Sequence, residues 1–351
     1  MNYKKILIVN LAGIGDLLLS IPALKSLRES FPAAQISLLT TDKVYALAED
    51  FEFIDNIYSL KMDYGGILGI SRIFAHIITL LKLRMESFDV AVNMRTLVSD
   101  KSAKKMKLLL KIINPKKIAG RDTEKRGNFF DIKIPETQVG MKYESEYDLE
   151  MVEALGAAVV DREINFKVSA DDLVDIEKKL LAQNISKDSI IIGIHPGGMP
   201  TRRWPIARFC QLVEMISKQV DCYFVITGGY NEINLAQMLV KTVPDKVISF
   251  AGELNIKQTA TLIASCNVFI SNDTGPMHIA AILKTPLIAL FGPGDIKRFD
   301  PRVIFKPAIV FYNKQECAPC ENVFCDNMIC MQSIQTDDVA KAVIALLKRA
   351  E

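Results

Sequence analysis

The chain has 351 residues, 50% of them hydrophobic and 24% charged, enough for roughly two ordinary globular domains. Its net charge is +2, so no strong global field attracts nucleic acid and no nucleic-acid partner is expected. Seven cysteines, an odd number in a chain that reads as cytosolic, argue against a disulfide framework.

The amino terminus runs straight into a buried-type strand with no small-residue cleavage site, so no signal peptide is expected. Residues 6–10 read as a strand. It feeds the turn Leu11-Ala12-Gly13-Ile14-Gly15-Asp16. Open α/β folds keep their ligands at the carboxyl ends of strands. Glycines there usually cradle a phosphate, but a carboxylate beside a phosphate is repulsive. Gly13, Gly15 and Asp16 therefore point to proton chemistry. A helix is expected over 17–30, then a strand over 36–40, a helix over 43–50, and strands over 54–58 and 89–93. This alternation predicts βαβ units and a parallel sheet.

Residues 67–85 carry apolar side chains at 67, 70, 73, 74, 77, 78, 81 and 85, a helical stripe flanked by Lys82 and Arg84. Charges interrupt it too often for a membrane span. It either faces a core or lies on an anionic membrane surface. Residues 101–117 hold seven lysines and no acid. They form a solvated helix face or a basic surface for phosphates or anionic lipid.

The alternation restarts after residue 168. Ser169 is the expected N-cap of a charged helix. Strands are expected at 189–195, 222–227, 247–249, 268–271 and 287–291, with helices at 205–219, 232–240, 256–265, 276–283 and 336–350. A second doubly wound domain follows, dividing the chain into 1–168 and 169–351.

Four polar turns close strands of this second half. The first, His195 to Pro205, holds Gly197, Gly198, Thr201, Arg202, Arg203 and the single tryptophan. Free amides and guanidinium forks suit a diphosphate, although an exposed basic loop would look the same. The second is Ser271-Asn272-Asp273-Thr274-Gly275-Pro276-Met277-His278. Asp273 or Thr274 can cap the helix beginning near Pro276, and its amides and dipole favour an anion. His278 either reaches that anion or is structural. In the third, Gly228 and Glu232 suit a nucleoside, with Glu232 accepting from a ribose or serving as a first-turn acid. The fourth is Phe291-Gly292-Pro293-Gly294-Asp295. Together they favour a nucleotide site.

These segments resemble the bacterial lipopolysaccharide heptosyltransferases, glycosyltransferase family 9, over nearly the whole chain. The similarity rests on the run from Gly15-Asp16 to Leu24, on Thr201 to Pro205, on Ser271 to Ala280 and on the tail ending Cys330-Met331. It implies a GT-B fold: α/β, two Rossmann-like doubly wound domains facing a central cleft. It also implies an acceptor-binding first domain and a second domain that binds a nucleotide sugar, typically ADP-heptose. Asp16 matches the catalytic acid, a general base on an acceptor hydroxyl that gives inversion. Arg202 stands where the family often has lysine, keeping charge but changing geometry. Asp273, Thr274 and Gly275 match the donor-phosphate turn, and Glu232 a nucleoside-contacting acid. The implied acceptor is a lipid-linked or soluble glycan, and the implied location is cytoplasmic, peripheral on the inner leaflet.

The chemistry is coherent in itself. Transfer to a hydroxyl needs a base near the attacking oxygen. It also needs cations and amide dipoles where the departing diphosphate gains charge. No Asp-x-Asp pair closes a strand, so no cofactor or catalytic metal is required. Cys317, Cys320, Cys325 and Cys330 crowd into 14 residues and read as free or redox-labile thiols, a metal site or disulfides. A dinucleotide oxidoreductase fits poorly, because the Gly13-x-Gly15 turn lacks a third glycine and Asp16 blocks the approach. A sugar-nucleotide-binding protein without turnover, or a relative using another nucleotide sugar, remains the competing function.

Overall fold

The computed structural model describes residues 2–61, 70–320, 322 and 324–350, without the side chains of 70–72, 349 and 350. The chain divides into two compact units, 1–164 and 165–351.

The first unit runs β1 (Lys5–Val9), α1 (Ile14–Leu19), α2 (Ile21–Ser30), β2 (Gln35–Thr41), α3 (Asp42–Ala48), β3 (Asn56–Leu60), α4 (Ile70–Met85), β4 (Val90–Asn93), α5 (Asp100–Ile113), β5 (Ile118–Thr123), β6 (Ile132–Glu136) and α6 (Glu144–Ala154). Its strands form one parallel sheet in the order β3-β2-β1-β4-β5-β6. The second unit runs α7 (Ala170–Leu181), β7 (Ile191–His195), α8 (Ile206–Ser217), β8 (Tyr223–Ile226), α9 (Ile233–Val240), β9 (Val247–Ser249), α10 (Ile256–Ala264), β10 (Val268–Asn272), α11 (Gly275–Ile282), β11 (Leu287–Phe291), α12 (Ile296–Phe299), β12 (Ile309–Tyr312), α13 (Ile329–Gln332) and α14 (Thr336–Ala350). Its parallel sheet has the order β12-β11-β10-β7-β8-β9. Counted from its own first strand, each sheet reads 3-2-1-4-5-6, the doubly wound order.

The central strands are apolar runs because helices cover both faces of such a sheet. Ile6, Leu7, Ile8 and Val9 are fully buried, as are Val268, Phe269 and Ile270. In the second unit, Trp204, Phe209, Leu212 and Ile216 pack with Val339 and Val343 of α14 into one core. The order puts β1 beside β4, with Val9 opposite Asn93, and β7 beside β10, with His195 opposite Ser271. The order in which strands are added reverses between those neighbours, so each unit opens a crevice at their carboxyl ends.

The expected helix over 17–30 is two helices. The chain bends at Ser20, whose hydroxyl donates to the Leu17 carbonyl at 2.7 Å, and Pro22 begins the second helix. The stripe at 67–85 also departs from a core-facing helix. Residues 67–69 lie outside the described residues. Among the described side chains of α4, Ile73, Phe74, Ile77, Ile78, Leu81 and Met85 are exposed, and only Leu83 is fully buried. Arg84 ties α4 to α5 by donating to the Ile112 carbonyl at 2.8 Å.

Candidate functional site

In the first unit the turn after β1 delivers Asp16. Gly13 is the N-cap of α1, and Asp16 sits at the third helical position. There its Oδ2 accepts the Gly13 amide at 3.3 Å, and its Oδ1 pairs with Arg95 at 2.9 Å. Arg95 follows β4, where Asn93 braces the loop by donating to the Arg95 carbonyl and accepting the Arg95 amide. The pair thus bridges the two loops at the crevice. The Asp16 side chain is 21% exposed, so a carboxylate oriented by two partners still reaches solvent. Gly13 has an extended backbone, and a Cβ there would meet Asp16 Oδ2 at an ordinary 3.6 Å. Gly15 is buried within the helix start.

Behind this pair lies a buried charge cluster. Arg121 of β5 pairs with Glu144 of α6 at 3.2 Å, both almost fully buried. Arg121 also donates to the Met94 carbonyl at 2.8 Å and lies over the Tyr147 ring at 4.4 Å. Asp148, one turn beyond Glu144, is 2% exposed. Burial pushes its carboxyl well above the usual carboxylate range, with Glu144 and Asp16 adding to the rise against the pull of Arg121 and Arg95.

In the second unit the four expected turns come together around an inverted pair. Arg202, in a short 3-10 turn after β7, donates to Asp273 Oδ2 at 3.0 Å across the loops after β7 and β10. Asp273 is buried and Arg202 is 18% exposed. Arg203 donates to the Gly198 carbonyl at 2.7 Å, and the buried Thr201 hydroxyl to the Asn322 carbonyl. Asn272 holds the loop in shape. Its amide nitrogen donates to the Pro196 and Gly197 carbonyls, and its oxygen accepts the Trp204 amide.

Thr274 occupies the N-cap position of α11 in extended backbone, with Gly275 and Pro276 following. Its hydroxyl does not cap the helix but bonds Ser271 and the Asn272 carbonyl. The amino terminus of α11 thus carries no side-chain cap, and its dipole favours an anion. His278, one turn in, is buried and packs edge to face on Phe299.

Backbone conformation calls for glycine at one place around this pair, and side chains closely approach two more glycines. Gly198 has φ of +112°, and a Cβ there would lie 2.4 Å from Thr274 Cγ2. A Cβ on Gly294 would lie 1.9 Å from Asp273 Oδ2, and one on Gly197 1.8 Å from Glu232 Oε1. Glu232 thereby joins two turns, accepting the Gly198 amide through Oε1 and the Gly229 amide through Oε2, each at 2.8 Å. His195 touches Thr227 at 3.1 Å, and burial lowers its pKa despite Glu232 at 4.0 Å. Gly228 lies against Glu232 Cβ, and Tyr230 beyond it is 81% exposed.

The seven cysteines are free thiols. Cys317 and Cys325 are exposed, and Cys330 is buried beside Gly292. Among the described residues no three His, Cys, Asp or Glu side chains converge as metal ligands.

Sequence reading missed Arg95, Asp148, Asn272 and Gly294. Arg95 and Asp148 belong to no local motif, and only strand pairing and helix packing bring them to Asp16. Asn272 and Gly294 stand inside turns that were legible, and glycine spacing was the available signal for the latter.

Solved structures share this fold. Escherichia coli ADP-heptose lipopolysaccharide heptosyltransferase II superposes with a TM-score of 0.74 at 19% identity, covering 99% of each chain. A glycosyl transferase family 9 protein of Veillonella parvula gives 0.76 at 21% identity, covering 99% of this chain and 98% of that one. The fold is therefore GT-B. Lipooligosaccharide heptosyltransferase 2 of Campylobacter jejuni is 25% identical over 344 residues, 96% of each chain. Lipopolysaccharide heptosyltransferase 3 of Escherichia coli is 26% identical over 294 residues, 80% of this chain and 81% of its own. The model of glycosyltransferase family 9 (heptosyltransferase) matches residues 79–328, most of the chain, and the protein belongs to that family of glycosyltransferases.

Proposed function

We propose that the protein transfers heptose, or a closely related sugar, from a nucleotide sugar to a hydroxyl of a lipopolysaccharide-core or similar glycan, with inversion and without a metal. ADP-heptose is the leading donor, a choice supported by the names of the relatives. The observation that carries the reading is the aspartate–arginine pair at the switch point of each unit. The first domain takes the acceptor. Asp16 accepts the hydroxyl proton as that oxygen bonds to the anomeric carbon and the bond to the diphosphate oxygen breaks. The second domain takes the donor. Arg202, Arg203 and the amino terminus of α11 meet the charge that develops on the leaving diphosphate. Asp273 orients Arg202 rather than touching phosphate itself, since two anions would repel. Gly228 and Glu232 border the nucleoside, where the exposed Tyr230 ring offers a stacking face for a base.

A thermal-shift screen of ADP-heptose, ADP-glucose, UDP-glucose and GDP-mannose, followed by product mass, tests the donor. ADP-heptose is expected to raise the unfolding midpoint most and to give a heptosylated product. A rise with UDP-glucose alone would replace the donor, and binding without product would leave a sugar-nucleotide-binding protein.

The acceptor is lipid-linked and presented at the inner face of the cytoplasmic membrane. This is supported by the exposed apolar residues of α4 beside the exposed Lys101, Lys104, Lys105, Lys107 and Lys111 of α5. No helix of the described residues is long and apolar enough to cross a membrane. Flotation with anionic vesicles should retain the protein and lose it on Phe74→Glu, and binding insensitive to salt and to anionic lipid would remove the membrane.

A further inference from the structure

We infer that Glu232 is a positioning residue for the diphosphate end of the donor. It locks the Gly197–Gly198 peptide and so fixes where the loop after β7 presents Arg202 and Arg203. This role rests on the crevice of the second unit being the donor site, and it is separate from any contact of Glu232 with a ribose. The peptide is held at both edges. Its carbonyl, that of Gly197, accepts from Asn272 Nδ2 at 2.9 Å, and its amide, that of Gly198, donates to Glu232 Oε1 at 2.8 Å. The next carbonyl, that of Gly198, accepts from Arg203 Nε at 2.7 Å. Side chains from three strand ends thus converge on two peptides: Asn272 closes β10, Glu232 follows β8 and Arg203 follows β7.

A peptide between two glycines rotates easily unless something holds it. Its rotation changes φ of Gly198, here +112°, and with it the direction in which the chain leaves toward Arg202. The residues beyond form the 3-10 turn Pro200–Arg202, closed by the Arg202 amide on the Met199 carbonyl at 2.8 Å. That turn carries Arg202 to Asp273.

Glu232 is itself fixed at its own end. Its Oε2 accepts the Gly229 amide at 2.8 Å, and its backbone amide donates to the Gly229 carbonyl at 2.9 Å. Its side chain is 15% exposed, so both charge-assisted bonds are largely screened from water. Each oxygen keeps a second lone pair, which leaves room for a ribose hydroxyl as well.

Glu232→Gln separates the two roles. It keeps the size of the side chain, but its one oxygen and one NH2 cannot accept both amides. The first test needs no ligand. Amide hydrogen exchange within residues 197–203 should quicken by about tenfold or more in E232Q, with α14 unchanged. Unchanged exchange in that loop would overturn the lock.

The second test uses inorganic pyrophosphate, which has no ribose, beside ADP. By calorimetry E232Q should weaken both by the same factor, about tenfold or more. At saturating donor kcat should fall as well, because Arg202 no longer meets the leaving diphosphate in place. A loss confined to ADP would make Glu232 a ribose contact alone and overturn the positioning role, and so would unchanged affinity for both probes. A wild type that binds neither probe, beside a quickened loop in E232Q, would instead overturn the reading of this crevice as a donor site.

Discussion

The two units carry the same device with its charges exchanged. In the first, the loop after the leading strand supplies the acid, Asp16, and the loop after the fourth strand supplies Arg95. In the second, the leading loop supplies Arg202 and the fourth supplies Asp273. Depth differs as well, with 21% of the Asp16 side chain exposed and 4% of Asp273. The more exposed acid is the proposed base, and the buried acid holds the Arg202 cation. On the proposed reading, one topology yields a base or an anion holder according to which loop brings the carboxylate and how far it is covered.

Removing the exposed acid should have the largest effect. Asp16→Asn keeps shape and should lower kcat by about 10³-fold or more, leaving donor affinity within about threefold. Measurable turnover near wild type would break the contrast between the two acids. Next is Arg202→Ala, which should cost about 10²- to 10³-fold in kcat/KM by removing a cation from the leaving diphosphate. Arg202→Lys should recover only part, because an ammonium cannot reproduce the fork held by Asp273. Full recovery would reduce the pair to a point charge.

The glycines sharpen the contrast at lower cost. Gly198→Ala forces a side chain into φ +112° and into Thr274, so it should destabilise the second unit by about 1–3 kcal/mol and weaken nucleotide binding. Gly13→Ala meets neither obstacle and should change stability by less than about 1 kcal/mol. Denaturant midpoints of both variants, with and without ADP, make the comparison. His195 gives the smallest effect. Its lowered native pKa means that below about pH 6.5 the unfolded chain gains a proton that the folded one refuses. That stability is present above the window and is lost as pH falls through it. The thermal midpoint should therefore drop more steeply toward acid in wild type than in His195→Gln.

The turns that end in Asp16, Arg202 and Asp273 were legible because glycine, proline and polar residues interrupt apolar strands there. Their neighbours were not. Ile118–Thr123 reads poorly as a strand because Gly120 and Arg121 break its apolar run, and a buried arginine is explained by partners distant in sequence, Glu144, the Met94 carbonyl and the Tyr147 ring. Ile132–Glu136 contains Pro135 and is tolerated as an edge strand. The period of α4 announced an amphipathic helix, but period cannot say whether the apolar face meets a core or solvent. Arg95 reaches Asp16 only through the β1–β4 pairing, a long-range fact.

Asn272 has a consequence for the thermodynamics of donor recognition. One amide fixes Pro196, Gly197 and Trp204 at once, and Trp204 is anchored in turn through its indole nitrogen to the Ile334 carbonyl at 3.1 Å. The loop that presents Arg202 is thus ordered before any nucleotide arrives. Little conformational entropy is left to lose on association, so the proposed donor would meet a rigid cradle instead of folding the loop around itself.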